Sequence, residues 1–425
     1  MHRILFSSVL CAAFWSSPCL AENWPQWRGP QNNGHSSEKG VPTEWGADKN
    51  IVWKLALPGQ GSSTPCVWED KIFITSPDGD DVVLMCIGTD GKPKWKQRLS
   101  STGKVVYKNE KANDASASCS TDGQLVWAFA GSGDLACFTV DGAEVWRVDV
   151  QKYGKFSIQF GVHWTPVLYK GVLYLQVMHR NAQMLVALEA STGKEKWAVN
   201  RPGYGKGESP DVYTSAFIWE GEGGPLLVSH GNDYCTGHKL ADGGEVWRVA
   251  GLNPTNNGAW RFISGPLLSP DLIVVPSCKD GPVVAFNPVG AKGTIDPDNK
   301  AELWRLPAAA TPRSSPDVVT PVRVGDIVYL AGDGPLTARD AKTGTQFYRE
   351  DKQMSKGQHR AHMVVAEDRI YVTSITGAID VVQAGKEFKK LATNTLPDTL
   401  YGSPAISNGR IYLRGWGHLW AIGAK

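Results

Sequence analysis

Past residue 21 this 425-residue chain has no long apolar run. A bilayer-spanning helix needs about 20 consecutive apolar residues, so the sequence predicts no such helix beyond that point. Charge of one sign is also scarce. The formal net charge is +2, which excludes a nucleic-acid or anionic-membrane partner held by bulk charge. Cysteines are few and scattered. Cys11 and Cys19 lie near the start, and Cys66, Cys86, Cys119, Cys137, Cys235 and Cys278 are spread over the rest, with no adjacent pair and no C-x-x-C. Several fall in apolar runs, where buried free thiols are expected. No G-x-S-x-G elbow or H-E-x-x-H is present. Glycines 131 and 133, and those of 203–207, neither follow a strand nor open a helix in a βαβ unit, so nucleotide binding is not expected.

The first 21 residues read as a secretory signal. Met1-His2-Arg3 is basic, Ile4 to Trp15 is mostly apolar, and Cys19-Leu20-Ala21 places small residues around a cleavage point after Ala21. The expected mature protein is exported, to the periplasm or beyond, without a lipid anchor. Residues 22–49 form an N-terminal extended segment and 50–425 a single repeat array.

What the chain does have is turn residues and tryptophan: 46 glycines, 26 prolines and 17 tryptophans. That mix suits many short strands joined by tight turns. One segment recurs. Its best copy is 187–197, ALEASTGKEKW, in which a strand enters, a glycine-containing polar turn reverses the chain, and a second strand carries the tryptophan. The aromatic positions are Trp53, Trp95, Trp146, Trp197, Trp247, Trp304, Phe347 (or Tyr348) and Phe388, spaced 41 to 57 residues apart. Four short strands per unit at this period predict a β-propeller. Seven full units, plus one shared between the strand at Trp53 and the three strands after Tyr401, predict eight four-stranded antiparallel blades closed by N- and C-terminal pairing. Closure of that kind pairs otherwise open sheet edges. The repeat aromatics are expected to be structural, each set against the neighbouring blade's turn.

The pattern A-x-D-x-x-T-G-K-x-x-W resembles the pyrroloquinoline-quinone (PQQ) repeat of quinoprotein dehydrogenases and of the outer-membrane assembly propeller BamB. Residues 187–197 match it with Glu189 in the acidic place, and the resemblance spans about 50–425. Trp24-Pro25-Gln26-Trp27-Arg28-Gly29-Pro30 and Pro42-Thr43-Glu44-Trp45 look like the start of a group of exported bacterial PQQ-like propellers. For the dehydrogenases the resemblance implies PQQ, calcium, an adjacent-cysteine disulfide, a tryptophan floor and an aspartate base. The adjacent cysteines are missing here.

The resemblance directs attention to the loops leading into the innermost strands, over the central channel. Asn113, His163, Trp164, Tyr213, Trp260, Arg261, Arg313, Arg360, His362 and Tyr401 lie in them and are the expected ligand-binding residues. Convergent Arg, His and Tyr suit an anionic or sugar-like small molecule. No catalytic residue and no metal site are assigned, although His359 and His362 are spaced to share a metal. Three readings stand: a monomeric binding or interaction module without catalysis, a PQQ-dependent alcohol or sugar dehydrogenase, and a scaffold binding an envelope protein.

Overall fold

The computed structural model describes residues 22–46, 49–101, 113–308 and 315–424. Arg313 and residues 1–21, the expected signal segment, lie outside them. The fold is all-β, with eight sheets of at least four strands and, among the described residues, no α-helix. Blades 1 to 7 comprise residues 66–101, 120–149, 167–200, 217–249, 267–306, 322–350 and 364–395. Blade 8 pairs Ile51–Ala56 antiparallel with His418–Ile422, inside which lie Arg410–Arg414 and Ala405–Ser407. This pairing closes the ring.

The first strand of each blade is short and innermost. Cys66–Trp68, for example, approaches Ser120–Thr121 on one side and Ala405–Ser407 on the other. Second and third strands are apolar on both faces, as in Ile72, Phe73 and Ile74, because each is covered by a blade on either side. Exposed residues concentrate on the fourth strands, as in Pro93–Ser101.

A bulge recurs between third and fourth strands. In blade 2 it falls between Glu144 and Trp146, leaving Val145 as the extra residue. The extra residue re-aims the strand, so that Trp146 turns back onto the sheet while Val145 is exposed. The aromatic then reaches across to the next blade. The indole N–H of Trp53 donates to Thr89 O at 2.9 Å, Trp95 to Val140 O at 3.0 Å, Trp146 to Ala190 O at 2.9 Å, Trp197 to Leu240 O at 2.9 Å and Trp304 to Ala341 O at 2.9 Å. Each such bond adds about 1 kcal/mol to the burial of the ring. Trp247 differs. Residues 287–301 replace the usual turn of blade 5, and Trp247 packs edge-on against Phe286 with ring centroids 5.0 Å apart and an unbonded indole N–H.

Two aromatic assignments need correction. Ala338 pairs with Tyr348, so Tyr348 holds the tryptophan place and Phe347 is the bulge residue. Val381 pairs with Ala392, so in blade 7 an alanine holds that place, and Phe388 lies before the fourth strand against Tyr348. The blade count does not depend on either residue, because the strand pairings themselves give eight.

Two short strands lie outside the regular blades. Gly293–Ile295 adds in parallel to Glu245–Val249 of blade 4. His35–Ser36 adds in parallel to Val364–Ala366, the innermost strand of blade 7. The N-terminal segment therefore enters the channel. Trp24 bridges Val67 of blade 1, and Pro25 O accepts from the Thr121 N–H of blade 2 at 2.9 Å.

Candidate functional site

Just before most first strands the chain carries Ser or Thr, often followed by Pro: Thr64-Pro65, Ser118-Cys119, Thr165-Pro166, Ser215-Ala216, Thr320-Pro321 and Ser403-Pro404. Each preceding blade's backbone N–H donates to the next blade's side chain. Thr64 N–H bonds Ser118 Oγ at 2.9 Å, Ser118 N–H bonds Thr165 Oγ1 at 3.0 Å, and Thr165 N–H bonds Ser215 Oγ at 2.8 Å. On the other side Gly265 N–H bonds Thr320 Oγ1 at 3.0 Å, Thr320 N–H bonds His362 Nδ1 at 2.9 Å, His362 N–H bonds Ser403 Oγ at 2.9 Å, and Ser403 N–H bonds Thr64 Oγ1 at 3.1 Å. The circle breaks between Ser215 and Gly265. Gly265 has no hydroxyl, and the Phe217 ring occupies the place its Cβ would take.

This collar surrounds an axial cavity of about 300 Å³. His163, Tyr213, Arg261, Arg360, His362 and Tyr401 line it, so six of the expected residues meet there. Trp164 does not. It is buried, stacked on Phe129 at 5.7 Å, and its indole N–H bonds Val212 O at 3.0 Å. Trp260 is buried away from the lining, and Asn113 accepts from its own loop at Ala115 N–H, 3.0 Å. Arg313 falls outside the described residues. Sequence reasoning missed the hydroxyl collar, Phe160, Asp317 and Trp27. The Ser/Thr-Pro recurrence was the signal for the collar. Trp27 had none, since it arrives from the N-terminal segment and packs on His362 and Phe217 at 4.9 and 5.6 Å.

The charges in the cavity are largely answered. Arg261 pairs with Glu208 at 2.6 Å and lies over the Phe160 ring at 4.4 Å. Arg360 pairs with Asp333 at 2.7 Å. Burial lowers the pKa of His163, and burial followed by the nearby Arg28 charge takes His362 down to about 3. Both imidazoles are neutral at pH 7. His362 accepts at Nδ1, which fixes its proton on Nε2. His359 bonds Gly332 O through Nδ1 at 2.7 Å. With its proton on Nε2, His362 offers no free ring lone pair to a metal, and no cluster of three or more His, Cys, Asp or Glu suited to a metal occurs among the described residues.

Four polar atoms of wall residues have no partner: Tyr213 Oη, Thr214 Oγ1, Asp317 Oδ1 and Arg261 Nε. Tyr213 is 6% exposed and Thr214 3%. Buried polar groups are bonded in nearly all native structures, so these atoms call for water or a ligand. Aromatic faces from Trp27, Phe160, Tyr213 and Tyr401 alternate with them. Tyr401 is itself held by parallel stacking on Trp416 at 5.3 Å.

The model of the family described as outer membrane protein assembly factor BamB matches residues 97–215, 131–289 and 215–425. The chain belongs to this family of PQQ-like propellers. The outer membrane protein assembly factor BamB of Burkholderia pseudomallei (strain K96243) is 22% identical over 313 residues, covering 73% of this chain and 71% of that protein. Among solved structures, BamB from Moraxella catarrhalis superposes with a TM-score of 0.62 at 13% identity, over 88% of this chain and 99% of that one. A quinohemoprotein alcohol dehydrogenase from Pseudomonas putida HK5 gives 0.64 at 13% identity, over 95% and 81%. At such identities the two structures speak for the fold alone.

The calcium that accompanies PQQ takes 6–8 oxygen ligands, with carboxylates prominent among them. Asp317 is the one carboxylate residue lining the cavity among the described residues. The wall does not fit a quinone–calcium pair.

Proposed function

We propose that the protein is an exported PQQ-like propeller that binds a small polar molecule in its axial cavity, without catalysing its conversion. The unpartnered Tyr213 hydroxyl on the wall of the 300 Å³ axial cavity carries this reading. Aromatic faces interleaved with hydroxyls suit a compact polyhydroxylated or carbonyl-bearing ligand such as a sugar. Arg261 and Arg360, each already paired, supply directed N–H groups more than net positive charge.

The test is calorimetry and thermal shift with a panel of monosaccharides, sugar acids and PQQ with calcium. Binding of a panel compound should weaken about fivefold to tenfold in Tyr213→Phe, the equivalent of one hydrogen bond. A panel with no binder, or binding indifferent to Tyr213, Arg261 and Arg360, counts against the reading. Stoichiometric PQQ binding with dye reduction would replace it by the dehydrogenase reading.

Family membership favours a second reading, a periplasmic scaffold for envelope proteins. Crosslinking in intact envelopes tests it. Recovery of outer-membrane assembly components would support a scaffold, and their absence would leave the small-molecule reading standing alone.

A further inference from the structure

Three arginines are almost wholly removed from solvent among the described residues: Arg201, Arg414 and Arg28. Two are well supplied with acceptors. Arg201 bonds Thr236 Oγ1 at 3.0 Å, Gly231 O at 2.6 Å and Tyr234 O at 2.8 Å. Arg414 locks blade 8 to blade 1 through Ser63 Oγ at 2.9 Å, Thr75 O, Gly59 O at 3.2 Å and Ser76 Oγ at 3.3 Å. Arg28 is the exception. Its guanidinium donates to Asn33 O at 2.7 Å, and its Nη1 has no partner. No carboxylate pairs with it among the described residues.

A positive charge left uncompensated inside a protein is strongly destabilising. The Trp27 ring lies beneath the guanidinium, with Cζ 5.9 Å from its centroid, but no neighbouring group among the described residues carries a compensating negative charge. His35 is held to about 4, by burial first and Arg28 second, and His362 to about 3, so neither carries charge at pH 7. Arg323 is itself a cation, paired with Asp271 at 2.6 Å. Burial brings Arg28 down only to about 9, so it remains a cation at neutral pH.

Arg28 borders a small hole between the N-terminal segment and blades 5 and 6. Asn32, Asn33, His35 and Arg323 also line it. Its volume is about 30 Å³, above the roughly 10–15 Å³ that a single water requires and too small for a polyatomic ligand such as a sugar. Asn32 is 7% exposed and its Nδ2 amide, like Arg28 Nη1, has no partner. Two unused buried donors, one of them cationic, thus border one hole without an acidic group on its wall.

We propose that a chloride-sized monovalent anion occupies this hole, bonded by Arg28 and Asn32, and fastens the N-terminal segment into the channel. The anion accepts charge-assisted bonds from the guanidinium and one from the amide, and neutralises the charge that the fold otherwise leaves alone. The site is separate from the axial cavity. It stands or falls independently of the ligand bound there.

The experiment is thermal unfolding of the purified protein in sodium chloride, bromide or gluconate at constant ionic strength. Ligand linkage raises stability with halide concentration. The expected result is a Tm higher by about 2 °C for each tenfold rise in chloride or bromide above its dissociation constant, with no such rise in gluconate. Crystals soaked in bromide should show an anomalous peak beside the Arg28 guanidinium. Arg28→Met should abolish the halide response. Should that variant fail to fold, Asn32→Ala should shift the halide midpoint at least threefold. Equal Tm values in chloride and gluconate, a bromide peak only elsewhere, or an unchanged response in Arg28→Met or midpoint in Asn32→Ala would overturn the proposal.

Discussion

Trp146 lies under Gly193: a Cβ added to that glycine would sit 2.7 Å from the indole ring, while the same indole N–H bonds Ala190 O one turn away. Gly193 also has φ +69°, a conformation that L side chains rarely adopt. Gly193→Ala should therefore suffer twice, from backbone strain and from overpacking, by about 2–4 kcal/mol. Gly171, at φ +76° with nothing within 4 Å of its would-be Cβ, bears the strain alone. Gly171→Ala should cost about 1 kcal/mol. Urea unfolding of the two variants checks the difference. Equal costs would mean that the ring does not confine the turn.

The hydroxyl collar makes a second expectation. Thr165→Val keeps the shape of the side chain but removes the acceptor for the buried Ser118 N–H. The loss should be about 1–3 kcal/mol, the cost of an unsatisfied buried donor, with faster hydrogen exchange at Ser118. Gly265→Ser should not restore the missing eighth link, since the Phe217 ring stands where the new side chain would start.

The parts legible in the sequence were those that repeat locally. A turn, a bulge and a tryptophan recur within a dozen residues, so Trp53 to Trp304 mark their blades without any knowledge of distant contacts. Phe388 misled because the turn of blade 7 lacks the T-G-K pattern and the bulge hides which residue faces Val381. The collar was half visible in its Ser/Thr-Pro recurrence. Trp164 looked like a site residue because it lies outside the repeat in a loop leading into an innermost strand, and only burial against Phe129 and Phe156 shows that it faces the other way. The path of residues 24–36 across the channel depends on contacts as far apart as His35 and Val365, which leave no local pattern to read.

Acid should weaken the fold before the carboxylates titrate. His35, His179 and His238 are lowered to about 4, and His230 and His362 to about 3, burial being the first cause in each. All are neutral in the folded chain near pH 6, whereas the unfolded chain binds protons at its histidines below about 6.5. Stability is thus fully present above pH 6.5 and falls as pH drops toward 3–4, with a slope approaching five protons at its steepest. His230→Leu removes one of these groups, and its two ring nitrogens have no partners to lose. Unfolding followed from pH 7 to 4.5 should show the slope smaller by about one proton in this variant. An unchanged slope would mean that His230 is not buried as a neutral ring.

The N-terminal segment brings Trp27 to the wall of the axial cavity. Its ring meets His362 edge-on and tilts against Phe217. Trp27→Ala removes a partly buried ring whose loss should cost about 2–3 kcal/mol, below the range for a fully buried tryptophan. The more specific consequence is electrostatic. Burial is the first cause of the depressed His362 pKa, and water entering the space left by Trp27 should lift that pKa from about 3 toward its ordinary 6.5. A proton NMR titration of the His362 ring in the two proteins measures it directly. In gluconate, with no halide beside it, Arg28 remains in the variant and still opposes the imidazolium, so the recovery should be partial. Adding Arg28→Met to Trp27→Ala should then raise the pKa further. If the single variant leaves His362 untitrated down to pH 4, water does not reach the ring and Trp27 is not what keeps it dry.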